Sequence, residues 1–192
     1  GTDADVTIDG GTTALEIAAS TIDGDLTLTS GNASGITDTG TVTVGGNFTA
    51  TTNANNGVIN VGTMAVDGTF TLAPNNTGAV TIVNDAGLTL AASTMGGTFS
   101  GTATTGNITD TGALAITGAT TLVTSESDAT ITLDTSTNNF AGNVDLSTQG
   151  TRGHVTLVHG DHDEFRDFAA SEGRGNLTVP TGTGCRGRQL GS

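Results

Sequence analysis

Residues 36–44 read Ile36-Thr37-Asp38-Thr39-Gly40-Thr41-Val42-Thr43-Val44, two short alternating runs divided by a glycine. Alternation over three residues is the signature of a very short strand with one buried face. Working outward, the apolar–polar–apolar unit returns as Leu26-Thr27-Leu28, Phe70-Thr71-Leu72, Leu114-Ala115-Ile116, Ile131-Thr132-Leu133 and Leu177-Thr178-Val179. The β-branched content supports strands, and Gly, Asn and Asp between the units supply turns. No stretch reads as a helix longer than a turn.

A longer period lies over these units. Val6-Thr7-Ile8 returns 74 residues later as Val80-Thr81-Ile82, and then as Val155-Thr156-Leu157. Landmarks keep their order between copies. Leu15-Glu16-Ile17-Ala18-Ala19-Ser20-Thr21 matches Leu88-Thr89-Leu90-Ala91-Ala92-Ser93-Thr94, Ile36-Thr37-Asp38-Thr39-Gly40 matches Ile108-Thr109-Asp110-Thr111-Gly112, and Gly68-Thr69-Phe70-Thr71-Leu72 matches Gly142-Asn143-Val144-Asp145-Leu146. Residues 1–179 therefore read as two super-repeats of about 74 residues and a partial third, with 180–192 as an irregular tail or cap. Strands that bury two side chains each cannot hold a sandwich together. Stacked coils solve this, since each apolar pair sits on its equivalent in the coil before. The expected fold is all-β, a parallel β-solenoid with coils of roughly twenty residues, about nine of them, about 45 Å long.

Composition agrees with a thin core. The 192 residues include 30 Gly, six Phe, no Trp and no Tyr, so burial must rest on small aliphatics instead of aromatics. The net charge is −14 and all five basic residues, from Arg152 onward, lie in the last fifth. An acidic surface of this kind repels phosphate backbones and anionic lipid, and no apolar run reaches the ~20 residues of a membrane helix. Neither nucleic-acid binding nor membrane insertion is expected. Lone Cys185 permits no internal disulfide. Without an initiator Met the chain reads as an excised piece, with Gly1-Thr2 and Gly191-Ser192 as junction residues.

The runs "AAST", "GDLTLT", "GITDTGTVTV" and "ATITLDTSTNNFAGNVDLSTQGTRGHVTLV" resemble the repeat region of filamentous-haemagglutinin-like adhesins and related large autotransporter or two-partner-secretion exoproteins, over about residues 5–179. The resemblance implies a right-handed parallel β-helix that projects as a stalk from a bacterial cell surface, secreted and extracellular. The Asn-Pro motifs of the two-partner secretion module are absent, which places the segment in mid-fibre. The third copy departs from the pattern: Phe168-Ala169-Ala170-Ser171 and Gly175-Asn176-Leu177-Thr178-Val179 persist, but Arg166 stands where Leu15 and Leu88 stand in the earlier copies.

Several groups invite a chemical reading. His154, His159, Asp161, His162 and Asp163 carry metal-ligating chemistry, but their spacing fits no zinc signature and a polar loop explains them as well. Asp38 and Asp110 recur at equivalent places and would suit calcium; a turn in which each Asp bonds its own backbone is the simpler reading. Glu16, Asp23 and Asp25 supply acids for a carbohydrate-active β-helix enzyme, yet residues 1–151 hold no Arg, Lys, His, Trp or Tyr to grip a sugar. Asn47-Phe48-Thr49, Asn107-Ile108-Thr109 and Asn176-Leu177-Thr178 fit the glycosylation triplet, as composition alone would produce. Thr41-Val42-Thr43, Thr69-Phe70-Thr71 and Thr130-Ile131-Thr132 have the form of an ice-binding array, but outward Thr alternates with Asp, Asn and Ala from unit to unit, so no regular array is expected. The leading expectation is a non-catalytic structural or adhesive rod without cofactor. It would pair end to end with itself or with flanking coils and meet a host or surface receptor outside this segment. An ice- or surface-binding solenoid is the alternative and a carbohydrate-active enzyme the next.

Overall fold

The computed structural model describes residues 4–160 and the backbone of Phe168–Ser171 and Leu177–Thr178. Among these residues every regular element is a strand, and every strand pairing is parallel. The chain winds through about seven turns of a β-solenoid. One long face is a nine-stranded sheet that begins with Val6–Asp9, Leu26–Ser30, Phe48–Thr52 and Thr69–Ala73. It continues with Leu88–Leu90, Ile108–Asp110, Ile131–Leu133, Val155–Leu157 and Leu177–Thr178. The second long face runs from Leu15–Ile17 through Ile36–Asp38, Ile59–Val66, Val80–Asn84, Phe99–Ala103 and Thr120–Ser127 to Val144–Gln149 and Phe168–Ser171. Successive coils are not of one length. The register steps by 20 residues from Val6 to Leu26, by 22 from Leu26 to Phe48, and by 24 from Ile131 to Val155.

The core is a narrow apolar stack that runs along the axis between the faces. Leu26, Phe48, Phe70, Leu88, Ile108 and Ile131 fill it from the first face, and Ile36, Ile59, Val80, Phe99 and Val144 from the second. Four phenylalanines, Phe48, Phe70, Phe99 and Phe140, are buried in it, contrary to the expectation that burial rests on small aliphatics instead of aromatics. Phe48 and Phe70 sit on consecutive coils with ring centroids 5.7 Å apart and planes at 65°, the edge-to-face geometry aromatic pairs prefer. Residues between the inward ones face outward and are half-buried along the sheet, as in the strand Leu26–Ser30.

The 74-residue repeat does not coincide with a whole number of coils. Val6–Asp9 lies in the first face, its repeat equivalent Val80–Asn84 in the second, and Val155–Leu157 in the first again. Leu15–Ile17 and Leu88–Leu90 exchange in the opposite sense. Each copy therefore spans about three and a half turns, and the next copy is rotated by about half a turn about the axis.

A third, short face shows the same rotation. In the first copy it follows the second face, in Ser20–Ile22, Val42–Val44 and the end of Ile59–Val66. In the second copy it follows the first face, in Ser93–Met95, Leu114–Ile116 and Asn139–Phe140. Switching sides leaves ladder ends inside the rod, and buried backbone groups must find partners. Two buried polar side chains supply them. Asn84 Oδ1 accepts from Val66 N–H at 2.9 Å, and its Nδ2 donates to Val66 O at 3.0 Å and to Gly87 O at 2.7 Å. The side-chain amide thus replaces the strand that would have continued from Val66. On the other flank Ser93 Oγ accepts from Leu72 N–H at 3.0 Å and donates to Ala91 O at 2.9 Å.

Glycines mark the tight corners, and they follow the rotation too. Gly24, Gly46 and Gly68 stack ahead of the first face, and their repeat equivalents Gly97, Gly118 and Gly142 stack ahead of the second. A Cβ on Gly118 would overlap the carbonyl of Gly97, and one on Gly142 the carbonyl of Gly118. Backbone lies against backbone at these corners, and only glycine permits it.

Three substitutions test this packing by chemical denaturation. Asn84→Leu strands the amide and carbonyl of Val66 and is expected to cost about 3 kcal/mol. Gly118→Ala is expected to cost about 2 kcal/mol through backbone overlap. Thr120 has the opposite sign, because its buried hydroxyl has no hydrogen-bond partner. It stands in register with Phe99 and Val144, so Thr120→Val should stabilise by about 1 kcal/mol.

Candidate functional site

The acidic residues at the corners are occupied with holding coils together. Asp38 Oδ1 accepts from Gly62 N–H at 2.9 Å, and Oδ2 from the N–H and hydroxyl of Thr63, both at 2.7 Å. Its repeat equivalent Asp110 accepts from Asp134 N–H at 3.0 Å, Thr135 N–H at 3.3 Å and Asn138 Nδ2 at 2.6 Å. These donors lie 24 to 28 residues on, one coil further along the rod. The expectation that each Asp bonds its own turn is corrected here: both carboxylates staple adjacent coils. Asp128 does the same for Thr151 and Arg152, accepting their N–H groups at 3.0 and 2.9 Å. With both oxygens of Asp38 and Asp110 engaged by donors, little lone-pair capacity is left for a calcium ion, which takes six to eight oxygens.

A second line of staples runs along the corner ahead of the first face. Asp5 Oδ1 accepts from Asp25 N–H at 2.9 Å, Asp25 Oδ1 from Asn47 N–H at 2.6 Å, and Asn47 Oδ1 from Thr69 N–H at 2.9 Å. Asp25 therefore belongs to a ladder, as does Asn47 of the glycosylation triplet, whose Nδ2 donates to Asp25 Oδ1 at 3.2 Å. Glu16 stands on the outer side of the second face, opposite Thr37 in register. Asp23 is exposed at a corner, where Gly45 packs on its carbonyl.

Of the possible metal cluster, His154 and His159 are described, while Asp161, His162 and Asp163 lie outside the described residues, as does Arg166. His159 Nδ1 accepts a hydrogen bond from Phe140 N–H at 3.2 Å, and its ring lies 6.5 Å from that of Phe140. The imidazole thus extends the short third face, continuing the ladder above Asn139–Phe140. Among the described residues no three His, Cys, Asp or Glu side chains gather as a metal site. None of the described residues forms a helix long and apolar enough to cross a membrane.

The feature sequence reasoning missed is on the outer side of the first face. Inter-coil register places Thr7, Thr27, Thr49 and Thr71 in one column. It places Thr69, Thr89, Thr109, Thr132 and Thr156 in the neighbouring column, which continues in backbone register to Thr178. Thr29 and Thr51 add a third pairing. The expected alternation of Thr with Asp and Ala appears on this face too, where Asp9, Thr29, Thr51 and Ala73 stand in one column. It holds on the second face, where the corresponding column begins Glu16, Thr37, Asn60, Thr81, Ser100, Thr121, Asp145. No single unit reveals the column, because coils of unequal length must first be aligned.

A family model described as "Repeats of unknown function (DUF5649)" matches residues 3–60 and 77–147. The chain belongs to this repeat family. The two matches begin 74 residues apart, the spacing of the super-repeat. No curated protein and no solved structure matches the chain.

If the Asp carboxylates are staples, Asp110→Ala should lower stability by about 2–3 kcal/mol through loss of charge-assisted bonds in a buried setting. Calcium titration of the unaltered chain should leave its melting temperature unchanged. A calcium-dependent rise, abolished by Asp110→Asn, would contradict the staple reading.

Proposed function

We propose that the chain is a non-catalytic rod segment of a secreted bacterial surface fibre, structural or adhesive, of the filamentous-haemagglutinin-like kind. The observation that carries this reading is the continuous parallel stacking of coils along one axis, with a dry core and staples from coil to coil. A protein built this way supplies length and stiffness, and its adhesive specificity would reside in loops or in neighbouring domains. The resemblance of residues 5–179 to adhesin repeats supports the same role. So does the charge of −14, which keeps neighbouring rods apart sideways at low salt.

Partners are then further coils. The strand Val6–Asp9 pairs, among the described residues, only with Leu26–Ser30. Its other edge offers backbone donors and acceptors to a flanking coil or to the end of a second copy. Small-angle scattering over a concentration series tests this. The expected result is particles that lengthen with concentration at constant cross-section, with sideways association only when salt is raised. A compact monomer at every concentration would contradict end-to-end pairing. Antibody labelling of intact cells that produce the protein tests surface location, and labelling that requires permeabilised cells would contradict it.

A further inference from the structure

The amino-terminal coil and the coil that begins at Val155 are the same part of the repeat on the same faces. Val6–Asp9 and Val155–Leu157 both lie in the first face, and Leu15–Ile17 and Phe168–Ser171 follow them in the second. Two copies complete a whole rotation, so the faces agree again. The coil of this kind that lies between them, Val80–Asn84 with Leu88–Leu90, shows what such a coil is seated on. Val80 stands in register with Ile59, and Leu90 with Phe70. One copy later the seat recurs, with Val155 in register with Ile131 and Phe168 with Val144. The first coil has no such seat among the described residues, since Val6–Asp9 and Leu15–Ile17 are the edge strands of their sheets. Its Val6, Ile8, Leu15 and Ile17 pack on the core but are only partly buried, whereas the equivalent Val80, Ile82, Leu88 and Leu90 are buried.

The neighbour that fits the first coil is therefore specified by the chain itself: a coil with the pattern of Ile131–Leu133 and Val144–Gln149, whose faces stand in the matching order. In a second copy that seat is present, but it is held by that copy's own Val155–Leu157 and Phe168–Ser171. We propose that two copies join head to tail by exchange, the amino-terminal coil of one taking this seat on the other and displacing the coil that begins at Val155. Val6 then stands opposite Ile131, Thr7 opposite Thr132, Ile8 opposite Leu133 and Ile17 opposite Val144. This rests on the end-to-end pairing proposed above and assigns its register. Exchange of equivalent elements is a low-cost route to association, because the contacts made repeat those given up. The incoming coil is also the more apolar occupant: the third copy has Arg166 where the first has Leu15, and a guanidinium suits a dry interior only when paired. It arrives already ordered, its other edge paired with Leu26–Ser30 and Ile36–Asp38, so seating it loses little entropy. The join is heterologous and continues the axis, so it extends into an open filament instead of closing.

The test uses the full chain in a Cys185→Ser background. Thr132 and Thr156 are in register on adjacent coils, so oxidation of Thr132→Cys/Thr156→Cys locks the Val155 coil in its seat. In small-angle scattering the reduced chain is expected to lengthen at least threefold over a concentration series, while the locked chain keeps the length of one copy. Thr89→Cys/Thr109→Cys places its disulfide in mid-rod, leaves the seat alone, and should lengthen as the reduced chain does. Register is read separately by mixing single-cysteine chains. Thr7→Cys with Thr132→Cys should give at least ten times more disulfide-linked dimer than Thr7→Cys with Thr121→Cys, which lies on the second face. Circular-dichroism melts check that each variant is folded, and the mixing experiment decides where a double variant is not; no excess over the Thr121→Cys mixture overturns the exchange. A locked chain that lengthens like the reduced one also overturns it and leaves end-to-end pairing standing. Reduced chains that stay compact at every concentration overturn both.

Discussion

Everything in this molecule depends on the hydrogen-bond ladder that runs along the axis from each coil to the next. A single coil buries only a handful of aliphatic side chains, far less than is needed to offset the conformational entropy of ordering some twenty residues. Its partners above and below supply the rest, both through the apolar stack and through backbone pairing. The chain therefore places its polar side chains where the ladder is interrupted: carboxylates and amides at corners, where strands end, and Asn84 and Ser93 inside, where the short face changes sides. These residues do for backbone groups what a further strand would have done.

The half-turn between copies gives the family's repeat length its physical meaning. A copy of about three and a half turns cannot be laid on the next without rotation, so each element must be able to serve on either long face. Leu15–Ile17 and Leu88–Leu90 do so with the same inward residue pattern. The corner glycines do so because the clash they avoid is with the backbone of the neighbouring coil, whichever face follows. Only the outward positions are free to differ between the two faces.

Strands, turns, parallel stacking and the repeat itself were legible in the sequence, because alternation with period two and a recurring Val-Thr-Ile are local patterns. What lay beyond it depended on register. The shift of 74 residues does not disclose a half-turn until coil lengths of 20, 22 and 24 residues are known, and these lengths are set by corner loops with no pattern of their own. Asp38 and Asp110 were recognised as a recurring pair, but their partners, more than twenty residues on, become neighbours only after winding. The threonine columns were hidden for the same reason: Thr69 and Thr89 align, whereas Thr71 aligns with Ala91, and nothing within either segment says which.

Cysteine crosslinking in a Cys185→Ser background tests the winding most directly. Residues in register on adjacent coils stand within the 4.4–6.8 Å between Cα atoms that a disulfide accepts, so Thr89→Cys paired with Thr109→Cys should close rapidly under mild oxidation. Thr71→Cys paired with Thr81→Cys, closer in sequence but in different sheets, should stay reduced. Closure of the second pair and not the first would contradict the stacked, half-turned coil described here.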